Sequence, residues 1–560
     1  AGDPILQNIH TEDNIGVPFY FELDTDPQTT GLSGRGNLGG DRIVIQGGTL
    51  TEDRTWDYGD LPIHLTGSNF VVGADAQSNP VMLTIAAGTV IKMSNGQYFE
   101  SRPGTINAVG TAEDPIVFTA STDDTVGGDS NGDRSSSKPF PGFWESLYQY
   151  GPSNVLEHVQ VRYAGDTDGN GAFSGQVGSI ELYHAGTAAE TQNRLTNVTV
   201  SHGYSNGINV RAAKPALENV HVFKNVGAAY YFELDAAPQV TNLTGQDNLG
   251  GDRIAIQAGT LTESRIWDYG DLPIHIISGN LVLGSDAESN PANLDIAAGT
   301  VIKIDQANYL WARDGALRAL GTPTDPIYFT AASDDTVGGD VTGDGDASSP
   351  YPGFWESIYI DGAGSVLSNV VVRYAGDTDG NGIFAGERQA IEVSADMTLT
   401  NVNVESSYGG GLRIEGGANV TYTGGRLDST AASTNTARSA IVVVDGTLTA
   451  TDLDLIANDG PGDLGVYVLN GQSASVSNSN FIGNTIAVRH DGTDPGKAFF
   501  QNNWWASSGG PHDPSALDGI VNDNPAGQPV TDYVDYSNFL TSPANRAIGP
   551  RVVAMEKLAP

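Results

Sequence analysis

The chain of 560 residues has no cysteine and few basic residues. Without disulfide bonds, we expect its stability to come from a packed core and from bound metal. Lysine and arginine number 27 against 67 aspartates and glutamates, so the formal charge is −40. A nucleic-acid partner is therefore not expected, because phosphate binding needs a basic surface. An anionic polysaccharide or membrane would also be repelled unless cations intervene.

Long apolar runs and long helical patterns are missing as well. No apolar run approaches the roughly 20 residues that cross a bilayer, so no transmembrane segment is expected. Short apolar runs alternate instead with Gly, Asn, Asp and Ser, a pattern that predicts an all-β protein. In residues 159–163, VQVRY, the alternation predicts that the valines and Tyr163 point inward and that Gln160 and Arg162 point outward.

The chain repeats itself at an offset of 211 residues. Residues 56–64, WDYGDLPIH, return unchanged at 267–275, and residues 161–171, VRYAGDTDGNG, return at 372–382. Repetition on this scale indicates a repeat architecture. A chemistry that needs one unique site fits poorly with a chain whose most distinctive loops occur twice.

A finer period in the low twenties lies within these copies. Residues 195–198, LTNV, are followed 22 residues later by 217–220, LENV, and later runs keep the same asparagine. This spacing is typical of one coil of a right-handed parallel β-helix, a solenoid. We expect inward asparagines to stack from coil to coil at one bend, rather than to act in catalysis.

The pattern divides the chain into four parts. They are copy one (1–211), copy two (212–418), further non-duplicated coils (419–505) and a C-terminal cap or tail (506–560). A cap is expected because an open solenoid end exposes unpaired strand edges.

Several segments resemble bacterial secreted or surface right-handed parallel β-helix repeat proteins. These include residues 83–92, LTIAAGTVIK, and the closing residues 502–506, NNWWA, followed by Gly510-Pro511. The resemblance covers nearly the whole chain, and it implies this fold and an extracellular or cell-surface location. The chain also begins at Ala1 rather than methionine, which is typical of a processed mature end. The chain departs from the group at residues 143–146, FWES, where glycines usually follow the tryptophan.

Two acidic loops, each present twice, are the strongest local signals. Residues 123–133, DDTVGGDSNGD, return as 334–344, DDTVGGDVTGD. Asp-x-Asn-x-Asp is the spacing at which a turning loop directs successive oxygens at one hard cation. Ordinary Asp/Asn/Gly turn chemistry is the alternative.

The second loop, DTDGNG at 166–171 and 377–382, matches the first half of a helix-loop-helix calcium loop. The twelfth-position glutamate is absent, since Val177 and Arg388 stand there, so these are not EF-hands. We expect calcium as the cofactor. The candidate ligands are Asp123, Asp124, Asp129, Asn131, Asp133, Asp166, Asp168, Asn170, Asp334, Asp335, Asp340, Asp344, Asp377, Asp379 and Asn381.

Catalytic arrangements are sparse. Parallel β-helices include polysaccharide lyases that pair calcium with a basic side chain, so Arg162 and Arg373 are the catalytic candidates. Local ion pairing with the acidic loop is the alternative for both. Four tryptophans could stack on sugars, or could instead cover the solenoid from within: Trp56, Trp144, Trp267 and Trp355.

Duplicated sites and a strongly acidic composition favour a calcium-binding structural or adhesive protein over an enzyme. We expect it to assemble with itself into a homopolymer, lattice, layer or filament, or to bind an extracellular polysaccharide. The alternative is a calcium-dependent polysaccharide lyase or glycoside hydrolase.

Overall fold

The computed structural model describes residues 3–73, 81–167, 178–183, 193–284, 291–378, 389–429, 439–457, 463–494 and 496–544. Every regular element in these ranges is a β-strand, which confirms the all-β prediction. The described residues contain no helix long and apolar enough to span a bilayer.

The chain divides into two compact units. Unit 1 consists of Ala1–Ile256, Tyr269–Leu272 and Asp340–Gly343, and unit 2 consists of Gln257–Asp268, Pro273–Gly339 and Asp344–Pro560.

Unit 1 holds strands β1 to β23. They are β1 (Ile5–Gln7), β2 (His10–Glu12), β3 (Phe19–Phe21), β4 (Gln28–Thr30), β5 (Ser33–Arg35), β6 (Ile43–Leu50), β7 (Arg54–Trp56), β8 (Ile63–Val72), β9 (Met82–Ile85), β10 (Val90–Met93), β11 (Phe99–Ser101), β12 (Thr105–Val109), β13 (Ile116–Ala120), β14 (Leu147–Gln149), β15 (Val155–Glu157), β16 (Val159–Arg162), β17 (Ile180–Tyr183), β18 (Arg194–Thr196), β19 (Thr199–Ser201), β20 (Ile208–Arg211), β21 (Ala216–Phe223), β22 (Tyr230–Phe232) and β23 (Gln239–Gln246).

The boundary between the two units falls within strand β24 (Ile254–Leu261), and unit 2 holds the remaining strands. They are β25 (Arg265–Trp267), β26 (Ile274–Leu283), β27 (Leu294–Ile296), β28 (Val301–Ile304), β29 (Leu310–Ala312), β30 (Leu317–Leu320), β31 (Ile327–Ala331), β32 (Ile358–Ile360), β33 (Val366–Arg373), β34 (Ile391–Val393), β35 (Met397–Glu405), β36 (Gly410–Ile414), β37 (Ala418–Ser429), β38 (Ser439–Val443), β39 (Gly446–Ala457), β40 (Leu464–Val468), β41 (Ser473–Ser477), β42 (Asn480–Ile482), β43 (Ile486–His490) and β44 (Ala498–Phe499).

Strands in both units pair in parallel with the equivalent strand of the next coil. In unit 1, β12 pairs with β15 and β15 with β18, while β14 pairs with β17 and β17 with β20. In unit 2, β32 pairs with β34 and β34 with β36. In this part of unit 1 each strand pairs with the third strand along, so three strands make one coil. Successive coils stack at the parallel-strand spacing of about 4.8 Å. The predicted parallel β-helix is therefore confirmed.

The register agrees with the sequence repeat, because Leu195 aligns with Leu217 and Leu217 with Val240. Val159 and Val161 are fully buried, as the alternation predicts. The prediction for Tyr163 was wrong. Strand β16 ends at Arg162, and Tyr163 turns the chain with a φ of 62° and stays half-buried.

Asparagines form a ladder at one corner of the coils in unit 1. The Nδ2 of Asn219 donates to Oδ1 of Asn197 at 3.2 Å, and the Nδ2 of Asn242 donates to Oδ1 of Asn219 at 2.9 Å. All three have φ between 52° and 55°, a left-handed conformation in which asparagine is enriched. The ladder is confirmed, but the predicted inward orientation is wrong, because Asn219 and Asn242 are exposed and Asn197 is half-buried.

The described part of the C-terminal cap, residues 506–544, contributes no named strand but pairs with the last coil. The backbone N–H of Ala487 donates to the carbonyl of Pro529 at 2.7 Å, and that of Thr531 donates to Val488 at 3.1 Å. These bonds satisfy backbone groups that an open edge would leave unpaired.

Core packing inside unit 1 can be tested at Phe118. Its side chain is fully buried, and its ring centroid lies 5.4 Å from that of Phe99. Phe118→Ala should lower the free energy of unfolding of unit 1 by about 3–5 kcal/mol, because it leaves a cavity. Urea unfolding followed by circular dichroism measures this. Val109→Ala, at a side chain that is 41 % exposed, is the control. Equal losses for both variants would contradict the assigned core.

Candidate metal site

The first acidic loop follows β13, and Asp123 fixes its start. Asp123 is fully buried. Its Oδ2 accepts from the Thr119 hydroxyl at 2.7 Å, and its Oδ1 accepts from the N–H and hydroxyl of Thr125 at 3.1 and 2.6 Å. Both oxygens of this predicted ligand are thus already engaged by protein donors, so Asp123 shapes the loop from below.

Lys92 on β10 lies beneath the same loop and is fully buried. Its Nζ donates to the carbonyls of Asp123 and Gly128, each at 2.9 Å. Burial lowers the pKa of Lys92 to about 8, although Asp123, Asp124 and Asp129 favour the charged form. The loop backbone is therefore held by an internal cation.

Ser130 is a second anchor point of the loop. Arg42 Nη1 donates to the Ser130 carbonyl at 2.5 Å, and His64 Nε2 lies 2.7 Å from the Ser130 hydroxyl oxygen. Burial, with the nearby Arg42 and Lys92, lowers the pKa of His64 well below its ordinary value, so this histidine is neutral at pH 7. The sequence showed no partner for His64 because Ser130 lies far along the chain.

Three carboxylates converge on the outer side of the loop. Asp124, Asp129 and Asp133 each offer one oxygen, and these oxygens lie within 4.8 Å of one another. Asp124 Oδ2 accepts from the Ser135 hydroxyl at 2.9 Å. Its Oδ1 is buried and has no hydrogen-bond partner among the residues that the structure describes. Such a group of oxygens could hold a hard metal ion.

Turn chemistry holds these carboxylates in place. Asp129 Oδ1 accepts from the N–H groups of Gly132 and Asp133 at 2.9 and 3.1 Å. Asn131 Nδ2 donates to Asp133 Oδ2 at 3.0 Å, so this predicted ligand orients a neighbouring carboxylate. Hydrogen bonds, first of all from the Ser137 hydroxyl, lower the pKa of Asp133. The metal-site and turn interpretations are thus compatible in this loop.

The second copy of the loop is divided between the units. In unit 2, Lys303 Nζ donates to the carbonyls of Asp334, at 2.9 Å, and Gly339. Asp334 is fully buried and accepts from the Thr330 hydroxyl at 2.6 Å. Asp335 and Asp344 also belong to unit 2.

Asp340 belongs to unit 1. Its Oδ1 accepts from the N–H groups of Thr342 and Gly343 at 3.0 and 2.7 Å. Arg253, the equivalent of Arg42, donates to the carbonyl of Val341.

The other predicted loop is described only at its start. Asp166 and Asp377 are buried. Their partners in the prediction, Asp168, Asn170, Asp379 and Asn381, lie outside the described residues. A metal site at this loop stays a prediction.

Both catalytic candidates form ion pairs. Arg162 Nη1 lies 3.7 Å from Asp123 Oδ2. Arg373 Nη1 lies 3.6 Å from Asp334 Oδ2, and its Nε lies 3.1 Å from Glu405 Oε2. Burial alone would lower the pKa of Arg373, but Glu405 and Asp334 outweigh it and raise that pKa. A catalytic base needs the opposite change, so this geometry fits the ion-pair alternative better.

The tryptophans considered for sugar stacking belong to the core. Each is at most 2 % exposed: Trp56, Trp144, Trp267 and Trp355. Trp144 Nε1, for example, donates to the Arg162 carbonyl at 2.8 Å. The partly exposed tryptophans are Trp311 and Trp504, neither of which was among the four considered for sugar stacking.

The fold makes the protein a member of the broad structural class of parallel β-helices. No protein-family model matches the chain, and no curated protein matches it. One solved structure, the crystal structure of the Agl-KA catalytic domain, matches with 12 % identity and a TM-score of 0.24. The match covers 78 % of this chain and spans 63 % of that chain's length. So remote a likeness carries no functional argument.

The anchoring role of Lys92 can be tested by Lys92→Met. Because the variant loses two hydrogen bonds to loop carbonyls, we expect a lower melting temperature at pH 7. The folded-state pKa of about 8 lies below the unfolded value of 10.5. The unfolded chain therefore binds more protons between pH 8 and 10.5, and the contribution of Lys92 to stability rises with pH in that window.

Scanning calorimetry in a chelating buffer should thus show a gap between wild type and Lys92→Met that widens from pH 8 to pH 10. Lys138→Met removes a lysine from the exposed part of the same loop and is the matched control. A gap that stays constant or narrows would contradict the lowered pKa of Lys92 in the folded state.

Proposed function

We propose that the protein is a calcium-binding structural or adhesive parallel β-helix protein that works outside the cell. The observation that carries the proposal is the convergence of Asp124, Asp129 and Asp133 at the outer surface of a loop whose inner side is fixed by Lys92. The loop is thus held in shape by protein contacts, and its carboxylates offer oxygens to a cation.

The donor set favours calcium over other common metals. All three groups are carboxylates, whereas zinc sites usually contain nitrogen or sulfur ligands. Magnesium requires near-ideal octahedral geometry, while calcium accepts irregular arrangements of six to eight oxygens, including water. The formal charge of −40 also raises the local cation concentration around the chain.

A structural or adhesive role is supported by the duplication. The acidic loop occurs twice in sequence, and each copy places a buried lysine beneath it, Lys92 or Lys303. Repeated loops suit repeated contacts with a polymer or with further copies of the chain. The resemblance to bacterial secreted β-helix repeat proteins supports the extracellular setting.

Calcium binding can be tested most cleanly at Asp124. In Asp124→Asn the side chain can still accept the hydrogen bond from Ser135. The substitution removes the negative charge of the carboxylate, whose other oxygen has no partner in the described structure. We expect calcium affinity at this loop to fall at least about tenfold, since calcium affinity depends on ligand charge. Isothermal titration calorimetry measures this, and Asp57→Asn removes an equal charge at an exposed site as the control.

In the wild type, calcium at 100 times its Kd should stabilise the folded state by about 2.7 kcal/mol. An unchanged melting temperature in calcium and in chelator would count against the proposal. So would equal calcium binding by Asp124→Asn and the wild type.

Self-assembly is tested by light scattering of the purified protein as calcium is added and then chelated. If calcium bridges or rigidifies acidic surfaces that otherwise repel, particles should grow with calcium and shrink with chelator. A particle size that stays that of a monomer throughout would contradict the assembly role. Attachment to a polysaccharide would then be the better-supported role.

A further inference from the structure

The C-terminal cap covers the strand edge at the last coil of unit 2. Besides the two bonds described above, the N–H of Phe500 donates to the carbonyl of Asp535 at 2.7 Å, and the N–H of Asp535 donates to the carbonyl of Ala498 at 2.9 Å. Residues 529–535 thus lie beside strands β43 and β44. Because an uncovered strand edge can pair with another chain, the docking of the cap determines whether this edge is accessible.

A carboxylate is buried inside the cap without full hydrogen bonding. Asp513 is only 1 % exposed. Its Oδ2 accepts from the Tyr536 hydroxyl at 3.1 Å, whereas its Oδ1 is buried and has no hydrogen-bond partner among the described residues. Burial and the neighbouring Asp513 raise the pKa of Tyr536, so this hydroxyl keeps its proton at neutral pH and is the donor. An ionised Asp513 is therefore poorly compensated and costs free energy.

Like charges surround Asp513. Burial raises the pKa of Asp513, the hydrogen bond from Tyr536 opposes that rise, Asp518 and Asp532 raise the pKa further, and the backbone N–H of Ser515 lowers it. The net direction is upward. Asp532 itself has a buried Oδ1 that lacks a hydrogen-bond partner in the described structure. Both burial and repulsion thus favour the protonated form of Asp513 while the cap is docked.

Compensating positive charge is scarce around this carboxylate. Residues 506–544 contain five aspartates and neither lysine nor arginine. The Nδ1 of His512 lies 4.0 Å from Asp523 Oδ1, and on β43 the Nδ1 of His490 donates to the carbonyl of Tyr533 at 3.1 Å. Both histidines that face the cap therefore contact other groups. A proton on the carboxyl group is the remaining way to neutralise this buried charge.

We propose that Asp513 is a pH-sensitive switch of the cap, which docks firmly on the last coil when Asp513 is protonated and loosens when Asp513 ionises. Because docking raises the pKa above its ordinary value of 3.8, the docked cap binds the proton more tightly than the open cap. The resulting stabilisation is complete below pH 3.8 and is lost as the pH rises through the raised, docked-state pKa. The inference depends on the cap contacts and not on calcium binding.

Hydrogen exchange of the full chain in a chelating buffer, from pH 4.5 to pH 7.5, tests this switch. The protection factor removes the intrinsic pH dependence of exchange, and the amides of Thr531 and Asp535 report on the cap because both bond to the last coil. We expect their protection to fall with rising pH by up to about tenfold per pH unit, the limit for release of one proton. Amides of β13 in unit 1 serve as the reference and should not follow this fall.

Asp513→Asn keeps the shape of the side chain and an acceptor for Tyr536, but it cannot ionise. At pH 7.5 its cap amides should be protected at least about tenfold more than those of the wild type, since tenfold corresponds to a pKa raised by one unit. Their protection should also stay nearly constant with pH. Asp523→Asn is the matched control, because it removes an equal charge from a cap side chain that is 77 % exposed. It should behave as the wild type does.

A second variant keeps the proposal testable where Asn at position 513 prevents the cap from docking. Asp532→Asn leaves Asp513 in place and removes one repelling charge, so the fall in cap protection should become smaller. Equal protection of Asp513→Asn and the wild type at pH 7.5 would overturn the proposal, as would the same pH-dependent fall in both. If the cap of Asp513→Asn is unprotected at every pH, an unchanged fall in Asp532→Asn overturns the proposal and a smaller fall supports it.

Discussion

The parallel hydrogen-bond ladder between coils is the constraint on which the rest of this structure depends. It places each residue directly beside its equivalent one coil away, as when Leu156 aligns with Leu195 and Leu195 with Leu217. A side chain that suits a corner or a face is therefore favoured again in the next coil. Rows of like residues, with buried leucines on one side and asparagines at the corner, follow from this registry.

Long loops interrupt the ladder and need anchors of their own. The loop after β13 leaves the coil for more than 20 residues before β14 begins at Leu147, and its backbone carbonyls are met by buried Lys92 and by Arg42. Burying an ammonium group is costly unless several acceptors satisfy it. The loop carbonyls accept hydrogen bonds from these cations, while the carboxylates of Asp124, Asp129 and Asp133 form the cluster that could hold a metal ion. The ladder and the loop anchors together thus produce a rigid outer surface on a repetitive core.

Much of the fold could be predicted from the sequence, because the patterns that specify its strands and corners are short and periodic. The strand in residues 159–162, the low-twenties period and the corner asparagines all follow from short-range rules on alternation and on left-handed turns. Tyr163 was misplaced because alternation does not show where a strand ends. The contact between His64 and Ser130 was not foreseeable, since a loop of irregular length joins them in space.

The two copies show how a duplicated loop can change without leaving a buried group unsatisfied. His64 meets the Ser130 hydroxyl, but the second copy has Val341 at the position equivalent to Ser130. There, within unit 2, His275 Nε2 instead lies 2.7 Å from Asp305 Oδ1, and Asp305 stands where copy one has Ser94. A buried imidazole without a partner would cost on the order of 1–3 kcal/mol. The two copies therefore satisfy the buried histidine in different ways: copy one uses a serine of the loop, and copy two uses an aspartate at the end of a strand.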